Sequence, residues 1–515
     1  MANQTFNRHV GEFLTSTPRE GIWTASILFL GLCYLASFYL QKSSNFPLIN
    51  DGKNPKSQFR NNAKELIAQG FQKFSGPFNL MTDTGPIIML PPEYIDSVNQ
   101  QDKLNFNKFI EIHNLAKYDT FRNFRSPPHG MFEEAVMKGL TRNLPRFTKA
   151  LSDEMERCLN DTWAQSAEWR EVKLQTDVLT WVARLSSRIF NGEELTRNED
   201  WLRISKDYTI NTFTALAVCK FFPVPFRWLA ERALPLCRKV RKDRAAGAKI
   251  LAPILAARKA EIAAAKREGR EPNLPDDSIE WFRKAAKGRA YDDCDLQLGL
   301  SIAAIHTTSD LLGQALLNLG TRTEMMEPLR KEAVEVLEKY GWQKVALAEL
   351  RILDSFLKET QRLKPIAMAS MHRLATDDVE LPNGIKIRKG ERTAISSHRM
   401  WSESDYEDPD TFDGFRFVER RKVPGYEHKS HLISTSADHT AFSHGKHACP
   451  GRFFAANEIK IAMVHLLLKY DLKLEDAKVA TWKMYGINMF VNPEAKISVR
   501  RRKEELDIDN LVTEG

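Results

Sequence analysis

Residues 296–319 are apolar nearly all round a helical wheel, and a helix of that kind must be buried on every side. The chain is long enough to surround it: 515 residues hold one large domain or two to three average ones. The centre of the segment breaks the rule. His306, Thr307, Thr308, Ser309 and Asp310 are consecutive and polar, and burying them costs free energy unless they are bonded or put to use. Two readings follow. Either the threonines bond back to the carbonyl four residues earlier, or this turn faces a reaction site.

Apolar residues recur at three- and four-residue spacing over 132–163, 245–267 and 322–364, which predicts helices. Strand-like pieces are short: 85–90, 379–387 around Asn383-Gly384, and 495–500. No internal repeat or long low-complexity linker interrupts the chain after about residue 60. The expected fold class is mainly α with small β-sheets. Residues 221–234 (FFPVPFRWLAERAL) make a proline-broken apolar loop ahead of a basic run at 238–244. Buried packing and an interfacial membrane contact both fit that loop.

Nearer the start, residues 22–40 are nineteen uncharged, mostly apolar residues. As a helix they would span about 28 Å, close to the hydrocarbon thickness of a bilayer. The length of chain ahead of the run and the lack of an A-x-A-like site after it favour an anchor over a cleaved signal. Arg8 and Arg19 precede it, and Lys42, Lys53, Lys56 and Arg60 follow, which favours a cytoplasmic C-terminal side. The expected organisation is a luminal tail over 1–21 with a sequon at Asn3, and a transmembrane helix over 22–40. A proline-containing linker over 41–60, a folded domain over 61–502 and a tail over 503–515 follow.

The densest chemistry lies at 441–455, AFSHGKHACPGRFFA. Cys449 is followed by Pro450, Gly451 and a helical pattern, which puts its sulfur at a helix N-terminus, where amides and the dipole favour a thiolate. Gly445 supplies a tight turn, Gly451 allows close backbone approach to a flat ring, and Phe442 can shield the sulfur from water. His447 and Arg452 are basic groups of the kind that pair with haem propionates. Among iron-binding side chains, a thiolate is the one that favours O–O cleavage. The other cysteines, Cys33, Cys158, Cys219, Cys237 and Cys294, read as small buried hydrophobes.

This loop resembles the F-x-x-G-x-x-x-C-x-G signature of the cytochrome P450 family at Phe442, Gly445, Cys449 and Gly451. The polar turn at 303–310 is similar to the family's A-G-x-D/E-T-T segment, with Thr307 at the oxygen-handling threonine. It departs at Ala304, where glycine is usual, and at His306, which replaces an acid; related fungal terpenoid enzymes carry a similar stretch. Glu359 and Arg362 share a helix face and resemble the family's E-x-x-R pair. Arg416 lies in an element similar to P-x-x-F-x-x-x-R-F and, by resemblance, closes a buried triad with them. Arg373 matches a position that contacts a haem propionate, and a surface arginine fits it as well. The family's tryptophan-arginine propionate contact is not recognisable at 133–144, where Lys138 and Arg142 are candidates.

The resemblance implies the cytochrome P450 fold, haem b held by Cys449, and insertion of one oxygen atom from O2 into an apolar small molecule. Electrons would come from NADPH through a membrane-bound reductase, with cytochrome b5 as a further partner. The catalytic domain would face the cytoplasm from the endoplasmic reticulum membrane. Thr307 would bond the distal oxygen while His306 or Asp310 supplies protons through water. The substrate expected from the family flavour is a fungal terpenoid or related secondary metabolite.

Composition bears on the partners. The net charge of +8 suits anionic lipid or an acidic protein, and Arg420, Arg421, Lys422, Lys446, Arg452 and Lys460 are candidates for a reductase-facing surface. No nucleic-acid motif accompanies that charge. Six scattered cysteines without a CxxC pair argue against a disulfide framework or a zinc site and fit a reducing compartment. Three rivals stand: a haem-thiolate isomerase or peroxygenase without a reductase, a non-catalytic membrane-bound binder of haem or sterol-like ligands, and a cofactor-free helical scaffold.

Overall fold

The apolar segment becomes one 29-residue helix, Asp293–Thr321. The Asp292 side chain accepts the N–H of Asp295 at 2.9 Å, satisfying one of the unpaired amides of the first turn. Leu312, Leu316 and Leu317 are wholly buried, and truncating any one to alanine would cost about 2–5 kcal/mol. The computed structural model describes residues 45–127, 130–163 and 166–511. Among these no helix is long and apolar enough to cross a membrane. The expected luminal tail and transmembrane helix (1–40) lie outside the described residues.

The helices that frame the site are, in chain order, α1 (Phe106–His113), α2 (Leu174–Phe190), α3 (Glu199–Phe221), α4 (Pro235–Glu268), α5 (Asp293–Thr321), α6 (Arg351–Leu363) and α7 (Arg452–Lys469). Helix α5 packs against α2, α3, α4, α6 and α7. The main core joins α2, α5, α6 and α7, and a second cluster fills the space between α3, α4 and α5.

To one side lies a five-stranded sheet of β1 (Phe78–Thr82), β2 (Gly85–Leu90), β3 (Leu104–Asn105), β4 (Ala369–Ala375) and β5 (Arg392–Ser396), in the order β1-β2-β5-β4-β3. Only β2–β5 is parallel, with Met89 opposite Ala394. The expected hairpin forms as Val379–Leu381 with Ile385–Ile387; Asn383 and Gly384 both have φ above +60°, which these two residue types tolerate.

Two expected helical stretches break. Over 132–163 the chain passes through Met131–Ala135, a wide turn at Val136–Leu140 and a tight one at Thr141–Phe147 before Thr148–Thr162. Pro145 lacks an amide hydrogen, and the Trp281 ring packs so close to Gly139 that a Cβ there would lie 2.2 Å from it. The 322–364 stretch divides into Met326–Tyr340, Lys344–Glu349 and α6, with Gly341 at φ 57° at the first break. The expected boundaries also shift. Ile49 donates to the Asn79 carbonyl at 3.0 Å, and Trp342 donates to the Ile508 carbonyl at 2.7 Å with Ile508 fully buried. Parts of the linker and of the tail therefore belong to the folded domain.

Candidate active site

The cysteine loop is closed by its own backbone. The Cys449 amide donates to the Phe442 carbonyl at 2.9 Å, and the Ala448 amide to that of Gly445 at 3.0 Å. Gly445 has φ 72°, and a side chain there would strike Asn99, whose Oδ1 accepts the Lys446 amide at 2.8 Å. Phe442 packs against the main core. Burial pushes the Cys449 thiol up; the Gly451 and Arg452 amides and the Arg452 charge act the other way without overcoming it. A bound iron cation would supply the missing positive charge and ionise the sulfur.

Two of the three Arg452 guanidinium nitrogens are committed to backbone carbonyls. Nε donates to the Ile433 carbonyl at 3.0 Å and Nη1 to that of Cys449 at 2.8 Å, so Arg452 braces the loop. His447 lies with its ring 5.2 Å from that of Phe106. Burial and then the nearby Arg373 hold its pKa down at about 4, so the imidazole is neutral at pH 7.

Arg373, on β4, is the group best fitted to an anionic partner. Its side chain is wholly buried, Nη1 donates to the His372 carbonyl at 2.9 Å, and Nε and Nη2 have no partner among the described residues. Burial lowers its pKa to about 10. Leaving such donors unpaired is costly, and a carboxylate such as a haem propionate would satisfy both in a fork. The residues present thus fit haem. Lys138 is exposed and paired with Glu134, and Arg142 is exposed.

In the middle of α5, Ala303 and Thr307 are exposed, one turn apart on a helix whose other residues are buried or half-buried. The Thr307 hydroxyl donates back to the Ala303 carbonyl at 2.7 Å, as the structural reading anticipates. Its two expected proton donors are engaged elsewhere. His306 is a half-buried link to α3, its Nε2 3.1 Å from the Lys206 carbonyl oxygen. Asp310 is paired with Lys364 and accepts the Val491 amide at 2.8 Å. This geometry speaks against proton supply by either residue.

Glu359, Arg362 and Arg416 come together as expected. Glu359 receives Arg362 Nε at 2.7 Å on one oxygen and Arg416 Nε at 3.0 Å on the other. Arg362 also donates to the Met400 and Pro409 carbonyls at 2.6 and 2.7 Å, so the triad ties α6 to two loops. The suggested basic surface fares less well. Arg420 pairs with Asp438 while Arg421 and Lys460 share buried Asp354, so these three are structural. Sequence reasoning missed Phe106 and the stack in which Phe109 lies between His113 and His372, at 5.1 and 4.8 Å; pairing of β3 with β4 brings them together, and no local pattern signals it.

Comparison with known proteins agrees with this geometry. Residues 47–501 match the family model described as Cytochrome P450. The chain is 38% identical over 486 residues to cytochrome P450 monooxygenase esdpI of Penicillium shearii, covering 93% of this chain and 94% of that one. It is 41% identical over 460 residues to cytochrome P450 monooxygenase hepE of Aspergillus oryzae, covering 88% and 83%. Among solved structures, the retinoic acid-bound cyanobacterial CYP120A1 superposes with a TM-score of 0.67 at 17% identity, over 89% of this chain and 100% of that one, a likeness of fold alone.

Proposed function

The chain belongs to the cytochrome P450 family and is an oxidoreductase of the monooxygenase type, and on that premise we propose that it oxidises an apolar fungal terpenoid or related secondary metabolite with electrons passed from NADPH by a membrane-bound reductase. Cytochrome b5 is a second candidate donor, and the cytoplasmic face of the endoplasmic reticulum is the proposed setting. Cys449 would hold the haem iron, with Arg373 on a propionate. Haem iron, when bound, activates dioxygen and delivers one oxygen atom to the substrate.

The protein's own residues do the rest. The closed loop from Phe442 to Cys449 fixes the sulfur, and Phe442 excludes water from that side. Thr307 is the proposed proton-holding group, at Oγ1, because it alone of the three expected residues stands on the open stripe of α5. His306 and Asp310 are assigned to holding α5 in place.

The observation that carries the reading is the buried Arg373, two of whose donors have no partner among the described residues, in a chain whose Cys449 loop is pre-closed. Microsomes containing the protein and a reductase test it. NADPH-dependent oxidised products, identified by mass spectrometry from a panel of fungal terpenoids, are expected. Turnover with peroxide alone and none with NADPH would instead establish the reductase-free alternative.

A further inference from the structure

Away from the site, two thiols stand side by side. Cys219, near the C-terminal end of α3, and Cys237, in the first turn of α4, are both fully buried, with their sulfurs 3.6 Å apart. Cys158 and Cys294 are buried as well, and the Cys294 sulfur lies 3.5 Å from the Arg244 carbonyl oxygen. The pair is invisible to sequence spacing because it forms only where α3 and α4 pack together.

We propose that Cys219 and Cys237 form a redox-active dithiol, a modification site that hydrogen peroxide converts to a disulfide clamping the segment between α3 and α4. The sulfurs, 3.6 Å apart, need approach by only about 1.5 Å to reach bonding distance. The two thiols are not equivalent. Cys237 follows Pro235 at the start of a 34-residue helix, where free amides and the dipole favour negative charge, and Arg241 lies one turn on. The contact between the two sulfurs holds the Cys237 pKa down and pushes that of Cys219 up. Cys237 is therefore the attacking sulfur and Cys219 the resolving one.

The steps balance. The Cys237 thiolate attacks one peroxide oxygen, the O–O bond breaks, and a sulfenic acid forms with loss of hydroxide. The Cys219 sulfur then attacks the Cys237 sulfur, expelling the sulfenic hydroxyl, which leaves as water with the Cys219 proton. The proton first lost from Cys237 neutralises the hydroxide. Two thiols and one peroxide give one disulfide and two waters, with two electrons passing from sulfur to oxygen. In a reducing compartment such a bond is transient, as befits a regulatory modification.

Its consequence follows from the neighbours. The clamped segment contains the helix Arg227–Ala233, whose buried Glu231 accepts the Thr120 amide at 3.1 Å and Arg241 Nη1 at 2.8 Å. The disulfide would thus hold residues 221–234 against residues 119–124, which pack on α5, the helix whose open stripe carries Thr307, and so restrain the way to that stripe. That effect on access rests on the haem-thiolate reading; formation of the bond does not.

The test uses the full-length, haem-loaded protein with an azole bound. It is treated with hydrogen peroxide, alkylated under denaturing conditions and peptide-mapped. A linked peptide pair containing Cys219 and Cys237 is expected at peroxide levels that leave Cys158 and Cys294 alkylatable, reversed by dithiothreitol. Azole release, followed by absorbance, should slow severalfold on oxidation. Cys219→Ala and Cys237→Ala, made separately, should each abolish both changes. If Cys158 or Cys294 oxidises before the pair, the dithiol is refuted; a linked pair with unchanged release refutes the clamp. Should the protein bind no haem, the peptide map still decides the first point.

Discussion

Arg373 holds its guanidinium carbon 5.7 Å from the centre of the Phe106 ring, with Nε and Nη2 buried and unpaired among the described residues. A cation against an aromatic face recovers part of its lost hydration, but two donors still lack acceptors. The arrangement costs the haem-free protein stability and favours binding of an anionic cofactor. Arg373→Met should therefore have opposite effects in the two states. Haem loss to a scavenger protein should accelerate, while the haem-free form should gain about 1–3 kcal/mol in urea unfolding. Equal haem retention by the variant would remove Arg373 from the cofactor site.

Glu359 is the hub of its triad, accepting from Arg362, Arg416 and the Asp413 amide. Its loss strands Arg362, which is wholly buried, and partly strands Arg416. Glu359→Ala should cost about 3–5 kcal/mol and yield protein that retains no haem. Arg416→Ala should be milder, because Arg416 lies nearer solvent; haem content and thermal unfolding of the two variants give the ranking.

What the sequence discloses here is what short spacing can encode. Phe442, Gly445, Cys449 and Gly451 lie within one loop, and Glu359 and Arg362 lie one helical turn apart, so their proximity is local and legible. Residues 296–319 reveal their burial because a helix wet on one side cannot be apolar all round. The partners of His306 and Asp310 are another matter. Lys206 and Val491 are distant in the chain, and only the packing of α5 against α3 and the placement of the C-terminal strands bring them near. For the same reason Phe106 and the Cys219–Cys237 pair could not be read, and the break at Gly341 outweighs a helical period that continues through it.

His306 links α5 to α3 through the Lys206 carbonyl, and burial holds its pKa below the usual imidazole range. A neutral, engaged imidazole is a poor proton donor. His306→Leu should lower stability by about 1–3 kcal/mol, because it leaves a partly buried carbonyl unpaired. Product formed per NADPH consumed should stay unchanged, whereas Thr307→Ala should lower it. A matching loss of coupling in both variants would return His306 to the proton path.

Glu458, on α7, is wholly buried with one oxygen accepting the Ser186 hydroxyl at 3.0 Å and the other unpaired among the described residues. Burial raises its pKa from an ordinary 4.5 to about 8. The folded state thus binds this proton more tightly than the unfolded chain. The associated stability is complete below pH about 4.5 and drains away as pH rises towards about 8. Glu458→Gln keeps the Ser186 bond and cannot ionise. Its stability relative to the wild type should therefore rise across that window, by on the order of 1.4 kcal/mol for every whole step in pH. Parallel pH–stability curves would show that Glu458 titrates normally.

The segment after α3 bears on membrane contact. Buried packing, one of two readings of its sequence, does not describe it: Phe221 is 61% exposed, Val224 59% and Trp228 55%, with Phe226 and Leu229 also open. Burying each such side chain in lipid would contribute about 1.5–3 kcal/mol, so a cluster of this size favours an interfacial site. Lys239 and Lys242, on the helix that follows, lie close enough in sequence to meet anionic headgroups beside it. Depth quenching reads this loop whatever the first 44 residues do. Brominated lipids should quench the part of the emission that Trp228→Phe removes, most strongly with bromine near the headgroup end of the acyl chain. Emission from Trp228 that bromine leaves untouched, in vesicles where the protein is bound, would place the loop in water and leave its exposed side chains without a membrane role.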